Sequence, residues 1–482
     1  DSNNKICCGQ PRAGSSPAAG INILEKNRLL VGSFFTRVAR KLQSVFPIVT
    51  RIEGKENHME QTNDRTFLET EPVGKLLLKL ALPTVAAQLI NMMYNIVDRM
   101  YIGHIPGDGA MALTGVGVCM PLIMVVSAFA ALISNGGAPR ATIFMGKGEK
   151  DKAEKTLGNC FCTQIIVSLI LTAFLLAGNR GFLLAFGASE NTISFATDYM
   201  NIYAIGTIFV QLTLGLNAFI TAQGFAKTGM LSVLIGAVIN IVLDPIFIYV
   251  FGMGVKGAAL ATIISQGVSC LWVLKFLTGK KTVLKIRLKN LALDGKIVTS
   301  VLSLGVSPFI MQATECLIQL TFNNGMLKYG NDLYVALMSI LFSLTQLIWM
   351  PLNGFSQGAQ PVIGYNYGAK RFDRVKKAFK LQFTVSICFS LFAVALVEVF
   401  PTAFLKMFTN DQELIDIGIN STRLFLAGMS VMGAQCACQQ TFLALGEAKI
   451  SMFLACLRKI ILLFPLALIL PNIANMGVWG LL

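Results

Sequence analysis

The sequence predicts an all-α polytopic membrane protein in which twelve transmembrane helices form two parallel six-helix lobes around a central cavity. Three features predict it: an apolar composition, an internal repeat about half the chain long, and basic connections that alternate with acidic ones. Hydrophobic residues make up 54% of the 482-residue chain and charged residues 13%, and the mean hydropathy is +0.64. A water-soluble domain of this length does not carry that balance.

The stretch from Gly136-Gly137-Ala138-Pro139 through Met145-Gly146-Lys147 to Asp151 returns as Gly358-Ala359-Gln360-Pro361 through Tyr367-Gly368-Ala369-Lys370 to Asp373. The spacing from Gly146 to Gly368 also separates Phe186 from Phe408, Gly206 from Gly428, Ala222 from Ala444, Gly224 from Gly446, and Ala226-Lys227 from Ala448-Lys449. One register held at so many positions marks a duplication. A repeat this long is a lobe rather than a solenoid unit, and it points to a site between the lobes.

About 20 apolar residues are needed to cross a bilayer as a helix. Such stretches give helices 1 to 6 near 79–103, 113–138, 160–178, 193–220, 230–251 and 258–277. Helices 7 to 12 follow near 299–327, 333–357, 382–400, 415–441, 451–470 and from 476 onward. Runs of this length without period-2 alternation exclude a β-barrel. Because six is even, the second half starts on the same side as the first, so the repeats are parallel.

Charge sets the orientation. Lys280, Lys281, Lys285, Arg287, Lys289 and Lys296 face a single acid, Asp294, and Lys370, Arg371, Arg374, Lys376, Lys377 and Lys380 face Asp373. These loops are expected in the cytoplasm, with a cytoplasmic N-terminus and the chain in the cell membrane. The alternate loops carry acids such as Glu190, Asp332, Asp411, Glu413 and Asp416. The net charge of +15 is thereby topological, and binding of nucleic acid is not expected, since the basic residues sit between spans.

The chain divides into an N-terminal extension and cytoplasmic lead-in over 1–75, an N-lobe over 76–285, a linker over 286–298 and a C-lobe over 299–482. Residues 1–58 match no part of the repeat, and Met59 is a plausible native start. Gly477-Val478-Trp479-Gly480 corresponds to Gly254-Val255-Lys256-Gly257 with one residue of slippage, so helix 12 is expected to be incomplete. The 11 cysteines are scattered without a CxxC pair, and the only histidines are His58 and His104. Neither a zinc site nor a disulfide scaffold is supported.

Asp98, Asp244 and Glu315 fall inside predicted spans, where a charge costs on the order of 2.5–3.5 kcal/mol near the centre. Helical rise places Asp98 and Asp244 in the outer half, roughly 20–28 Å from the inner ends of helices 1 and 5. Tyr199 on helix 4 and Thr262 on helix 6 reach the same level. Asn240 shares a helix face with Asp244, and the neighbouring Pro245 removes a backbone donor and encourages a kink. Two carboxylates in a poorly solvated space repel when both are ionised, so the pair takes up a proton readily. The oxygens of Asp98, Asn240, Asp244 and Thr262 could instead bind a sodium ion. The residues leave that choice open, beside a purely structural ion pair or helix-helix hydrogen bond. Pro83 bends helix 1 or simply sits near its start. Glu315 meets a cationic substrate or a second proton, or pairs with Gln312 or Gln319.

Gln360-Pro361-Val362-Ile363-Gly364-Tyr365-Asn366-Tyr367-Gly368-Ala369, Tyr94-Asn95-Ile96-Val97-Asp98 and Asn240-Ile241-Val242-Leu243-Asp244-Pro245 strongly resemble the multidrug and toxic compound extrusion (MATE) family, nearest to its bacterial DinF-like branch. The resemblance covers about 76–482. It implies twelve helices in two lobes and export of amphipathic, often cationic small-molecule drugs in exchange for sodium ions or protons, with no cofactor. It also implies a first-lobe site at Asp98, Asn240, Asp244, Thr262 and Tyr199, with Asn217 resembling a cavity-lining asparagine. A NorM-like second-lobe cation site is matched poorly, because Glu315 lacks a partner acid in helices 8 to 11.

The function expected is a secondary multidrug antiporter, monomeric in the bilayer and not an enzyme. Its rival is a lipid-linked glycan or lipid flippase of the same superfamily, which needs a cationic cavity, whereas the intramembrane residues singled out above are acidic. An intramembrane enzyme would need a convergent nucleophile and base or a metal set, and no such motif is present.

Overall fold

The computed structural model describes residues 67–472 except 330, 331 and 410, together with 478. The extension 1–58, Met59 and nearly all of helix 12 lie outside the described residues. The described chain is helical throughout: α1 Val73–Gly103, α2 Gly109–Gly146, α3 Lys150–Ala185, α4 Ile193–Ala222, α5 Ala226–Pro245, α6 Val255–Thr278, α7 Gly295–Tyr329, α8 Asp332–Gly368 and α9 Phe372–Val399. Helix α10 starts as Gln412–Ala427, passes a 3₁₀ turn at Gly428–Val431 and continues as Met432–Leu445. Helix α11 runs from Ala448–Cys456 through a π turn at Leu457–Leu463 and Phe464–Ile469 to Leu470–Asn472.

Among the described residues, 10 helices are long and apolar enough to cross a membrane. Helix α10, broken at Gly428, is the predicted span that falls outside that set. Several helices outrun their apolar stretches: α3 begins at Lys150, well before the predicted 160, because charged turns continue the helix beyond the apolar region. The turns repeat as the sequence does. Gly224 and Gly446, which close α4 and α10, have φ of +89° and +79°, a left-handed geometry that favours glycine.

The lobes meet in a two-fold-like pattern: α1 packs on α8, and its counterpart α7 packs on α2. A Cβ at Gly146 would lie 2.0 Å from the Tyr365 carbonyl oxygen, and one at Gly368 would lie 2.2 Å from that of Ile143. Ile143 and Tyr365 are themselves repeat mates, so the same contact is made twice about one axis. At Gly305 a Cβ would come 1.7 Å from the Leu132 oxygen, and at Gly358 2.4 Å from Ala81 Cα. Thr84 Oγ1 donates to the Gly354 carbonyl at 2.6 Å across the same seam.

All these contacts lie toward the face that carries the basic connections. There Leu68 of the lead-in and Leu77 of the first lobe cluster with Val362, Ile363 and Ala444 of the second. The lead-in joins them: Asn366 Nδ2 donates to the Leu68 carbonyl at 3.0 Å, and Arg374 Nη2 to that of Glu71 at 2.6 Å. Toward the opposite, acidic face the apolar clusters separate. One holds Ile102, Val116, Tyr199 and Ile263 from the first lobe alone. The other holds Phe322, Leu341, Ile415 and Leu426 from the second alone. The lobes are therefore joined at one end and distinct at the other.

Candidate functional site

The first-lobe acids converge near the acidic face. Asp98 lies five residues before the end of α1, and Asp244 is the last residue before Pro245 closes α5. Lacking an N–H, Pro245 cannot continue the regular ladder, and the backbone passes into a π turn at Ile246–Val250. The expected kink thus takes the form of a widened turn immediately after the acid. Asp244 is 0% exposed and Asp98 7%.

Asn240 Nδ2 donates to Asp244 Oδ1 at 3.1 Å and more weakly to Thr262 Oγ1 at 3.4 Å, joining α5 to α6. The Asp98 and Asp244 carboxyls lie near enough to act electrostatically on one another. Asp98 Oδ1, Asn240 Oδ1 and Asp244 Oδ2 are all buried and accept no hydrogen bond among the described residues. Buried acceptors are normally satisfied. Three of them on neighbouring residues form a set that a proton on a carboxyl or a hard monovalent cation could complete. Tyr199 is buried, stacks on Tyr203 with ring centroids 6.2 Å apart, and feels the Asp98 charge. Four of the sequence-predicted residues, Asp98, Asn240, Asp244 and Thr262, thus come together, with Tyr199 beside Asp98.

Three predicted positions lie elsewhere. Asn217 is near the basic end of α4, where its Nδ2 donates to the Gly229 carbonyl at 3.3 Å and its Oδ1 accepts from Ser232 Oγ at 3.1 Å. It ties α4 to α5 and remains partly exposed. Pro83 is buried at the seam between α1 and α8, beside Thr84 and far along the helix from Asp98. Glu315 pairs with neither Gln312 nor Gln319; it forms an ion pair with Lys459 of α11.

That lysine and its neighbour Arg458 were missed by the sequence reading, although two cations inside the apolar run 451–470 are visible there. Arg458 Nη1 donates to Gln435 Oε1 at 3.2 Å. Tyr94 was also missed as a site residue. It lies one helical turn before Asp98 and feels the charges of Asp98 and Asp244.

A model of the MatE family matches the chain twice, over residues 83–246 and 308–469, once in each lobe. The multidrug export protein MepA of Staphylococcus haemolyticus is 24% identical over 372 residues, covering 76% of this chain and 81% of its own length. A solved MATE-family multidrug resistance transporter in an outward-facing conformation superposes with a TM-score of 0.81 at 23% identity, over 87% of this chain and 93% of that one. A solved MOP superfamily transporter from Pyrococcus furiosus Vc1, described by a binding pocket of reversed polarity, has the same TM-score of 0.81 at 23% identity, over 88% of this chain and 94% of that one. With each lobe matched in turn by one family model, the chain belongs to the MatE family and is a multi-pass membrane transporter of the MATE type.

Proposed function

We propose that the chain is a secondary antiporter that exports amphipathic, often cationic small molecules from the cell in exchange for protons or sodium ions. The observation that carries this reading is the set of three buried, unpartnered oxygens on Asp98, Asn240 and Asp244. A cation seated there, or a proton on the acid pair, neutralises the charge that an organic cation would otherwise meet. Competition for one carboxylate cluster gives the differential binding that coupling requires.

The lobes, joined on the basic face and distinct on the other, support an outward-facing state if the basic connections are cytoplasmic. In this reading the cation enters from outside and loads Asp98 and Asp244, and the substrate leaves. The lobes then rock apart at the glycine seam, so that drug reloads the cavity from inside. The relatives named as multidrug export proteins support small-molecule substrates. A lipid-linked glycan flippase is the weaker reading, because the relatives matched are named as multidrug export proteins.

The test is efflux of a fluorescent organic cation from vesicles with proton and sodium gradients imposed separately. Efflux should follow one gradient and be lost in Asp98→Asn and Asp244→Asn at equal expression. Undiminished transport by both variants would contradict the reading.

A further inference from the structure

Inside the second lobe the polarity is the reverse of that in the first. Arg458 and Lys459 are adjacent in the π turn of α11, a helix irregularity that often marks functional positions. Glu315 of α7 pairs with Lys459 and also acts electrostatically on Arg458. Two cations and one acid leave the cluster one positive charge in excess, and an intramembrane charge ordinarily has a named partner.

Among the described residues Arg458 has no ion-pair or hydrogen-bond partner that is an acid. There its Nη1 contacts the neutral Gln435 oxygen at 3.2 Å and the Met432 sulfur at 3.3 Å. Its Nε is buried without any hydrogen bond. A guanidinium takes carboxylate or phosphate in a planar, two-point geometry, and an amide with a thioether does not supply it. What the cluster lacks is an oxyanion.

The cluster is also reachable. The Lys459 side chain is 7% exposed, whereas that of Glu315 is 37% exposed. On α7, Ser307 bonds into the second lobe through Ser451 and Gln439, while Phe309 touches Phe129 of α2. Glu315 lies about 80° from Ser307, between the C-lobe face and the face that meets α2. Leu317, 50% exposed, points about 160° away from Glu315. Glu315 thus lies on the flank of α7 opposite Leu317, and with Leu317 toward lipid its exposed edge is left to the cleft between the lobes.

We propose that Arg458 and Lys459 form an oxyanion-binding subsite of the export cavity, and that Glu315 is a built-in counter-ion which a substrate's carboxylate displaces from it. The transporter then accepts amphipathic carboxylates, including molecules that carry a cation as well. This rests on the exporter reading above, since it assigns a substrate class to the same cleft.

The test uses the full chain purified into phosphatidylcholine nanodiscs and two fluorescent dyes, each bearing an amine cation, that differ only in a free carboxylate against its methyl ester. Wild-type protein should bind the carboxylate about tenfold more tightly than the ester, and Arg458→Gln should bring the two Kd values together. Glu315→Gln leaves both cations uncompensated, so the carboxylate should raise its Tm more than it raises that of the wild type. Equal wild-type Kd values, or a preference that survives Arg458→Gln, would overturn the proposal. In nanodiscs containing phosphatidylglycerol, a preference lost by competition puts a lipid phosphate in the same oxyanion subsite. A preference retained there assigns the subsite to the dye. Failure of the exporter reading is judged apart, by gradient-driven efflux of the ester in the wild type and in Asp98→Asn.

Discussion

The two lobes share a frame and differ at its polar centre. Asn217 of α4 and Gln439 of α10 occupy the same repeat position and do similar work: each amide ties its helix to the next one, through Gly229 and Ser232 in one lobe and Ser451 in the other, where Gln439 also reaches Ser307 of α7. One helical stage further toward the acidic face the likeness ends. Asn240 and Asp244 of α5 have Leu462 and Leu466 as their counterparts in α11, while Arg458 and Lys459 stand where α5 has Gly236 and Ala237. Duplication kept the positions that hold helices together and released those that set charge. One lobe thereby offers unpartnered acceptors and the other unpartnered donors.

The largest expected effect breaks the comparison on the acidic side. Asp98→Asn or Asp244→Asn should abolish cation-driven efflux, read in vesicles against equal protein. Next, Glu315→Gln strands a buried lysine; since Glu315 is itself partly exposed, the cost is about 1–2 kcal/mol, between that of a surface pair and that of a buried one. Thermal unfolding should show it, and Glu315→Gln with Lys459→Met should regain most of the loss, because the double change removes the stranded charge. The glycine seam probes where the lobes are alike. Gly146→Ala and Gly368→Ala each drive a methyl into the partner's backbone, at about 1–3 kcal/mol. The two should be equally destabilising and should both increase labelling of a cysteine placed at the seam. The smallest effect is predicted for Asn217→Ala and Gln439→Ala, about 1 kcal/mol each, with efflux retained in both.

Much of this was legible in the sequence, for identifiable reasons. The repeat register located the glycines of the seam, since a contact made twice about an axis requires the same small residue in both copies. The four-residue spacing of Asn240 and Asp244 fixed a shared helix face, and their 3.1 Å bond follows from it. Burial depth along the helix axis brought Thr262 and Tyr199 to the level of Asp98. The partner of Glu315 was not legible, because which face of α11 meets α7 depends on packing, and the π turn shifts the register that a regular helix would give. Asn217 has a type that suits a cavity, and its bonds to the Gly229 carbonyl and Ser232 at the start of α5 depend on packing that its local sequence does not show. Pro83 marks the seam, a role that depends on the other lobe and has no trace in its local sequence.

The central claim is that the first-lobe acids hold the exchangeable cation. It is tested most directly by counting protons and sodium ions released when a saturating organic cation is added to the purified protein in weak buffer. The wild type should release about one cation per molecule, Gln439→Ala should do the same, and Asp98→Asn/Asp244→Asn should release none. Full release from that double variant would contradict the claim.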